Sequence, residues 1–289
     1  MKRGNSNHLM IRGTAHAKLN LTLHVTGRLS NGYHELDSLV VFTEFGDHLA
    51  LEPAHKFHLK TKGPFSKALP PVSKNIILST LCHFEGQGTD FKVSLEKSIP
   101  VSAGLGGGST NASTVLHLAA NYLGYSLPVD VETLVAIGSD LPVCFSGKPA
   151  IVRGLGEKLT ILDRFYEFPV LLVNPNKPVQ TREVYHQLSE VNNPPQTPYP
   201  VQGNKGEVLA WLKEQRNDLE SPAIMLCPEI KSILSVLRDQ EGWLLARMSG
   251  SGGTCFGIFQ TMEQAAGAAR KIKQHTPEWW VQPTRILPH

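Results

Sequence analysis

The sequence predicts an α+β fold divided into two lobes. Segments with the two-residue period of strands and segments with the period of helices follow one another without a regular βαβ repeat, which favours α+β over a doubly wound sheet. The chain of 289 residues is long enough for two ordinary domains with buried cores. The stretch 154–168 is the candidate boundary, so we expect an N-terminal lobe at residues 1–163 and a C-terminal lobe at residues 164–289.

Composition and charge exclude several functional classes. The hydrophobic fraction of 41% and the charged fraction of 18% are those of a soluble globular protein. The net charge of +3 is small, and no basic stripe indicates a nucleic-acid partner. The N-terminus lacks the apolar segment of a signal peptide, and no apolar run approaches the length of a membrane span. We therefore expect a cytoplasmic protein with neither a nucleic-acid nor a membrane partner.

Cysteine and histidine spacing does not indicate a resident metal. The cysteines lie far apart, without the Cys-x-x-Cys pair that would suggest a zinc site, and they form no disulfide framework. The 12 histidines are scattered and form no His-Glu-x-x-His helix. We expect buried thiols and no metal site formed by the protein alone.

Apolar periodicity and turn residues predict the elements of the first lobe. Between residues 17 and 26, apolar and polar residues alternate, which predicts a half-buried strand with Lys18 and Asn20 on one face. Residues 27–34 are typical of a loop, and Gly46-Asp47 predicts a hairpin turn. The predicted strands are 9–11, 17–26, 39–45, 48–51, 91–95 and 150–152, and the predicted helices are 75–84, 131–137 and one that follows residue 110.

The second lobe opens with a buried-looking strand and is rich in helices. Residues 192–200 contain so many prolines and asparagines that regular structure is excluded, which predicts an exposed loop. The predicted strands are 170–173, 243–248 and 254–259, and the predicted helices are 182–188, 205–213, 221–225, 229–237 and 262–275.

The glycine-rich loop at 100–110 is the strongest local signal of function. Because glycine lacks a Cβ, successive N–H groups can turn toward one anion, and the following apolar spacing predicts a helix capped by Ser109 or Thr110. Unpaired N–H groups and the positive end of a helix dipole coincide there, which is typical of a phosphate site. The loop has neither a Walker ending nor the dinucleotide-binding glycine spacing. A flexible surface turn is the alternative interpretation.

Four other short segments accompany this loop. They are Ala-Lys-Leu-Asn at 17–20, Asn-Gly-Tyr-His at 31–34, Gly-Ser-Asp-Leu-Pro at 138–142 and Met-Ser-Gly-Ser-Gly-Gly at 248–253. Over nearly the whole chain, the ordered set resembles the small-molecule kinases named for galactose, homoserine, mevalonate and phosphomevalonate. Within that superfamily, the first two segments and Asn217-Asp-Leu-Glu220 are similar to the 4-diphosphocytidyl-2-C-methyl-D-erythritol kinases. The resemblance implies a two-lobed small-molecule kinase fold with the active site in the cleft between the lobes.

The resemblance implies two catalytic residues. Asp140 matches the aspartate that accepts the hydroxyl proton, and Lys18 matches the lysine whose cation stabilises the incipient alkoxide. Without the resemblance, Asp140 is equally typical of a helix-capping carboxylate and Lys18 of a solvated strand residue. The chain departs from the family pattern at Asn31, where aspartate is usual, and at Ser139, where alanine is common, but both replacements leave the implied roles in place.

The resemblance also implies ATP as the phosphate donor, with Mg²⁺ entering only with the nucleotide. Either Ser109 or Thr110 would lie near that ion. Asn75 and Lys97 match positions near the nucleotide, although Asn75 is equally typical of a helix N-cap. The loop residues assigned to the ATP phosphates are Pro100, Val101, Ser102, Ala103, Gly104, Leu105, Gly106, Gly107, Gly108, Ser109 and Thr110.

On the acceptor side, Tyr33 matches a ring that stacks on cytosine, and His34 a group that hydrogen-bonds to the base edge. Asn20 would bind the substrate near the transferred phosphate. Tyr185 is placed to be a second stacking ring, or is an ordinary aromatic of the helix core. Residues 250–253 either line the cleft or form only a tight turn between two strands.

The implied activity is ATP-dependent phosphorylation of the 2-hydroxyl of 4-diphosphocytidyl-2-C-methyl-D-erythritol, in non-mevalonate isoprenoid biosynthesis. The implied partner is a small molecule with a cytidine diphosphate moiety, and we expect a monomer or a weak homodimer. Two alternatives are a kinase of the same superfamily for another small alcohol, such as homoserine, mevalonate or a sugar, and a catalytically silent nucleotide-binding module.

Overall fold

The computed structural model describes residues 10–83, 90–124 and 129–289, so the N-terminal tail and residue 84 of the first predicted helix lie outside the described residues. The strands are β1 Ile11–Asn20, β2 His24–Arg28, β3 His34–Pro53, β4 His58–Lys62, β5 Phe91–Glu96, β6 Ala150–Gly154, β7 Lys158–Ile161, β8 Phe168–Asn174, β9 Trp243–Met248, β10 Cys255–Phe259 and β11 Trp280–Ile286. The helices are α1 Ile76–Cys82, α2 Gly107–Leu123, α3 Val131–Ile137, α4 Leu141–Ser146, α5 Thr181–His186, α6 Lys205–Glu214, α7 Glu220–Leu226, α8 Glu229–Arg238 and α9 Met262–His275.

One long strand, β3, organises the first lobe. It pairs antiparallel with β1, β2, β5 and β6, and β4 extends β5 in parallel. In the second lobe, β8 lies between β10 and β11, and β9 forms the far edge. Because β11 meets β3 at Ile286 and Thr43, the two lobes share one sheet. The largely antiparallel sheet with helices packed on it confirms the predicted α+β class.

The apolar core is continuous between the lobes. One buried cluster joins Leu19 and Leu21 to Val170 and Phe256 from the second half of the chain. Separate clusters lie under α1 and α2 in the first lobe and under α8 and α9 in the second. The boundary after residue 163 stays a prediction, and the strand β7 occupies part of the stretch 154–168.

The segment predicted as a half-buried strand at 17–26 is buried on both faces. Lys18 and Asn20 are only 3% and 6% exposed, so the prediction of a half-buried strand is wrong. The strand β1 ends at Asn20, and the chain resumes as β2 at His24. Alternation fails as a guide here because the polar face of β1 lines a cleft that other parts of the chain cover.

The predicted hairpin at Gly46-Asp47 is also wrong, since β3 runs straight through these residues. A Cβ at position 46 would collide with the carbonyl oxygen of Ala15, so the glycine permits close contact with β1. The hairpin lies earlier, between β2 and β3, where the Asn31 Oδ1 accepts a hydrogen bond from the Tyr33 N–H at 3.1 Å. The predicted loop at 27–34 therefore contains the turn.

The predicted helices of the second lobe are confirmed within a few residues, but β4, α4, β7 and β11 were not predicted. Pro283 lies inside β11. Its presence argued against a strand because proline has no N–H to donate to the hydrogen bonds between strands. In the structure Pro283 lies opposite Leu171 of β8, and the only described pair between β11 and β3 is at Ile286. Among the described residues, none of the helices has the length and apolar character needed to span a membrane.

The loop at 192–200 has no regular structure, as predicted, but it is not simply exposed. The Gln196 side chain is buried, donates a hydrogen bond to Asp37 at 2.7 Å and accepts one from Thr22 at 2.8 Å. This amide therefore fastens the loop to the start of β3.

The close contact at Gly46 predicts a stability effect. We expect Gly46→Ala to destabilise the fold by about 1–3 kcal/mol, because the new methyl group meets backbone that cannot move aside. Differential scanning calorimetry should show a Tm lowered by several degrees, on the order of 5 °C. The matched control is Gly267→Ala in α9, where the nearest atom lies at 3.9 Å and the helix gains up to about 1 kcal/mol. An unchanged Tm for Gly46→Ala would contradict the close approach.

Candidate active site

A cleft of about 610 Å³ opens between the lobes. The first lobe contributes β1, the glycine loop and the start of α4, and the second contributes residues 179–182 and the loop between β9 and β10. Lys18, Asn20, Asn75, Lys97, Asp140 and Tyr185 all line it. The structure thus brings together residues that the sequence places far apart.

The glycine loop enters α2 through residues that only glycine tolerates well. Gly104 and Gly106 have φ of +72° and +59°, and Gly106 is the N-cap of α2, without a side-chain capping bond. The prediction that Ser109 or Thr110 caps this helix is therefore wrong. The first helical hydrogen bond runs from the Thr110 N–H to the Gly106 carbonyl at 2.9 Å, so the amides at 107–109 precede the ladder and are available to an anion.

The two hydroxyl residues of this loop have different surroundings. Ser109 lines the cleft with most of the loop. Thr110 is buried and its Oγ1 lies 3.3 Å from the Gly107 carbonyl oxygen, to which it donates. Leu105 is also buried and belongs to the core rather than to the lining. Of the two predicted hydroxyls, Ser109 is the one that faces the cleft.

Lys18 and Asp140 form an ion pair with an Nζ–Oδ2 distance of 2.9 Å. Asp140 is the N-cap residue of α4, but its carboxylate makes no capping bond and points instead to the lysine. Its side chain is 42% exposed to the cleft, whereas that of Lys18 is 4% exposed. Neither of the alternatives, a capping carboxylate and a solvated lysine, fits this geometry.

Asn20 holds the Lys18 ammonium from the other side. The Lys18 Nζ donates to the Asn20 Oδ1 at 2.7 Å, and the Asn20 Nδ2 donates to the Ser38 Oγ at 2.8 Å. The Asn20 N–H donates to the Ser249 Oγ at 3.1 Å. Since the amide nitrogen is used by Ser38, the oxygen must face the lysine, and the network fixes both side chains.

Lys97 lies deeper, beneath the start of α2. Its Nζ donates to the Asp47 Oδ2 at 2.5 Å, and the Asp47 Oδ1 accepts from the N–H groups of Ser98 and Ile99. Burial lowers the pKa of Lys97, an effect that the Asp47 charge opposes. A Cβ on Gly107 would lie 2.9 Å from the Lys97 Nζ, so this cation is directly against the helix start.

Two asparagines face the same end of the cleft. Asn75 caps α1 by accepting from the Ile77 N–H at 3.0 Å, and it also lines the cleft, so both interpretations of this residue apply. Asn111 is 2% exposed and its Oδ1 has no hydrogen-bond partner among the described residues. A buried acceptor without a partner is costly, and its position in the cleft wall suits a ligand.

A second cavity, of about 790 Å³, adjoins the cleft and contains Tyr33, His34 and Tyr185. The His34 and Tyr185 rings stack with centroids 4.9 Å apart and an angle of 22°. Tyr33 is 64% exposed and lies at the rim. Tyr185 also packs against the core of the second lobe, so it is both a core aromatic and a lining residue. Burial, followed by the Arg28 and His186 charges, lowers the pKa of His34, which favours the neutral ring.

The loop at 249–253 is both a turn and part of the cleft wall. Gly250 and Ser251 line the cleft, and the Ser251 Oγ lies 2.8 Å from the Thr181 Oγ1. The Asn217 Nδ2 donates to the carbonyl oxygens of Met248 and Gly250 at 2.9 and 2.8 Å. Asn217, which the sequence marked only as a family residue, therefore holds this loop in place.

Several residues at the site were not predicted from the sequence. Asp47 was interpreted as a turn residue, and Ser38 and Thr181 carry no local signal. Asn111 directly follows the glycine loop, and its position in the first turn of the helix was a usable signal. Arg182 lies three residues before Tyr185, a spacing that places both on one helix face. In the described ranges, no group of His, Cys, Asp and Glu side chains suits a metal ion by itself.

Comparisons with known proteins agree with this geometry. Residues 75–152 match the GHMP kinases N terminal domain, and residues 202–278 match the GHMP kinases C terminal family. The chain is 44% identical over 276 residues to a 4-diphosphocytidyl-2-C-methyl-D-erythritol kinase of Dinoroseobacter shibae. The aligned region covers 95% of this chain and 94% of the relative. A kinase of the same name from Cereibacter sphaeroides is 43% identical, over 96% of this chain and 100% of its own.

One solved structure matches in sequence and fold, and another matches in fold alone. A crystal structure of 4-(cytidine 5'-diphospho)-2C-methyl-D-erythritol kinase matches with a TM-score of 0.77 and 31% identity, over 96% of this chain and 100% of that chain. Homoserine kinase from Cytophaga hutchinsonii, with a TM-score of 0.69 and 16% identity over 100% and 99% of the two chains, shares the fold. From its sequence identity and its fold together, this chain belongs to the 4-diphosphocytidyl-2-C-methyl-D-erythritol kinases, a family of the GHMP kinases.

Proposed function

We infer that this protein is an ATP-dependent kinase that phosphorylates the 2-hydroxyl of 4-diphosphocytidyl-2-C-methyl-D-erythritol, a step of non-mevalonate isoprenoid biosynthesis. The observation that carries this function is the Lys18–Asp140 pair, with an Nζ–Oδ2 distance of 2.9 Å, between a glycine loop and an aromatic cavity. The glycine loop suits a donor with phosphates, and the aromatic cavity suits an acceptor with a nucleobase.

The donor end fits the phosphates of ATP. The amides at 107–109, the Lys97 ammonium beneath them and the Lys18 ammonium beside them provide hydrogen-bond donors and positive charge. Mg²⁺ bound with the nucleotide would neutralise phosphate charge during transfer. The Ser109 hydroxyl and the orphaned Asn111 Oδ1 are the oxygen groups of this wall that would hold the ion or its water ligands.

The acceptor end fits a cytosine. The Tyr33 ring at the rim and the Tyr185 ring in the wall would stack on the base, and the neutral His34 ring would hydrogen-bond to its edge. His34 stacks on Tyr185 in the structure, so one aromatic platform presents both a ring face and ring nitrogens. The base would be held there while the alcohol reaches the Lys18–Asp140 pair.

The chain's own residues then perform the transfer. Asp140 accepts the proton of the 2-hydroxyl as its oxygen forms a bond to the γ-phosphorus, and the bond to the leaving ADP oxygen breaks. The Lys18 ammonium has three donors, of which Asp140 and Asn20 use two, so one remains for the reacting oxygen or the transferred phosphoryl group. Asn20 and Ser38 keep that ammonium in place through the step.

Neither alternative is favoured. A silent nucleotide-binding module would require Lys18 and Asp140 to lie apart, but they are in contact. A kinase for homoserine, mevalonate or a sugar would have no use for the aromatic cavity, and the curated relatives described above are kinases of the cytidine-bearing alcohol. The cytoplasmic location and the state of monomer or weak homodimer stay predictions.

The function is tested directly by ADP release. Purified protein with Mg-ATP should release ADP with 4-diphosphocytidyl-2-C-methyl-D-erythritol, and phosphorus NMR should locate the new phosphate on the 2-hydroxyl. Homoserine, mevalonate and galactose should give at least about 100-fold lower kcat/KM, since they lack the base that fills the second cavity. Comparable turnover of one of these alcohols would show that the assigned acceptor is wrong.

The role of Asp140 is tested by Asp140→Asn, which keeps the size of the side chain but removes the proton acceptor. We expect kcat to fall by about 10²–10⁴-fold, while the Kd of ATP stays within about threefold. The control is Asp239→Asn on the exposed end of α8, which should leave both quantities unchanged. If Asp140→Asn retains wild-type kcat, Asp140 is not the base.

The role of Tyr33 is tested by comparing two substitutions. Loss of a stacked ring in Tyr33→Ala should raise the KM of the acceptor and the inhibition constant of CMP about tenfold, with the KM of ATP unchanged. Tyr33→Phe keeps the ring and should behave as wild type. Equal inhibition constants for CMP in all three proteins would remove Tyr33 from the base site.

A further inference from the structure

The cleft and the second cavity share a wall, and one charged residue lies in it. The described residues that line both are Leu36, Ser139, Thr181, Arg182 and Tyr185, of which Arg182 alone carries a charge. The charge therefore lies between the His34–Tyr185 stack, which we call the base platform, and the Lys18–Asp140 pair, which we call the transfer centre.

The Arg182 guanidinium has no ion pair or hydrogen bond to another residue within the described part of the chain, and the residue is exposed. The cavity around it has an excess of positive charge. Arg28 and Arg182 line the second cavity, and no described carboxylate lines it. An unpaired guanidinium in such surroundings is suited to an anion.

The acceptor of the proposed function carries an anion at this point of its length. Its diphosphate connects the cytidine to the methylerythritol. If the base lies on the His34–Tyr185 platform and the alcohol at Asp140, the diphosphate spans the wall between them. Guanidinium groups bind phosphate oxygens through two parallel hydrogen bonds, which makes arginine better suited to this task than lysine.

The helix α5 presents the cation and the ring together. Arg182 and Tyr185 are three residues apart and therefore lie on the same face of this helix. The Thr181 hydroxyl, 2.8 Å from the Ser251 Oγ, connects the start of the same helix to the loop at 249–253. The position of Arg182 is thus coupled to the wall of the transfer centre.

We propose that Arg182 is a specificity-determining residue that binds the diphosphate of the acceptor, an inference that rests on the proposed function. It selects acceptors whose base and alcohol are joined by a diphosphate. Its role is in binding, so it acts on the KM of the acceptor and leaves ATP recognition to the glycine loop.

The test compares cytidine, CMP and CDP as ligands by isothermal titration calorimetry, without turnover. Wild type should bind CDP more tightly than cytidine, and the difference should shrink at high salt. In Arg182→Met, the affinity for CDP should fall by about 10- to 100-fold while that for cytidine stays within about threefold. Arg182→Lys should recover part of the loss. The KM of the acceptor should rise with the Kd of CDP, and the KM of ATP should not change.

The control is Arg270→Met on the exposed face of α9, which should leave all affinities unchanged. The proposal is overturned if Arg182→Met lowers kcat without changing the affinity for CDP, since the cation would then act on the transferred phosphoryl group. Equal losses for cytidine and CDP would also overturn it, because they would indicate a packing role. If the wild type released no ADP with the acceptor, the proposed function would fail, whereas the comparison of CDP with cytidine would still test Arg182.

Discussion

The position of the Lys18–Asp140 pair depends on a contact between two stretches of backbone, one from each lobe. At Gly104, a Cβ would collide with the Ser249 carbonyl oxygen and lie 2.7 Å from the Gly252 carbonyl oxygen. The Ser249 Oγ donates to the Gly104 carbonyl at 2.9 Å and accepts from the Asn20 N–H. Because the Lys18 N–H donates to the Leu105 carbonyl, the loop, the lysine and the second lobe are fixed as one unit. Such a contact is closed to any residue with a side chain.

Buried charge explains why so many polar residues surround two lysines. Burying an ammonium costs free energy unless a carboxylate and other acceptors surround it. Lys18 has Asp140 and Asn20, whereas Lys97 has Asp47 as its acceptor within the described residues. Burial lowers the pKa of Lys97, and the Asp47 charge opposes that effect. A phosphate at the start of α2 would place a second anion beside this buried ammonium, so the lysine favours an anionic ligand there.

The sequence predicts those features that depend on neighbouring residues. The helix α9 was predicted with its bounds, and the structure shows a capping box of Thr261 and Gln264 at its start, which is a contact between near neighbours in the sequence. Gly46 was misinterpreted because glycine is needed there for close contact with the backbone of Ala15, which is distant in the sequence. From the sequence alone, such a glycine cannot be distinguished from a glycine in a turn. Lys18 and Asp140 were found through family resemblance, whereas Arg182 has no motif. Its importance follows only from the folded wall that two cavities share.

That shared wall also connects selectivity to chemistry. Ser139 lines both cavities and immediately precedes Asp140, and the Cβ of any residue at position 156 would collide with the Ser139 carbonyl. The backbone immediately before Asp140 is therefore closely packed, which limits the movement of this carboxylate relative to the wall that both cavities share. An alcohol anchored at its base would reach Asp140 with little remaining freedom, while a short alcohol would meet the same carboxylate without an anchor. Binding energy at the remote base would thus be converted into orientation at the hydroxyl, so selectivity would appear in turnover as well as in affinity.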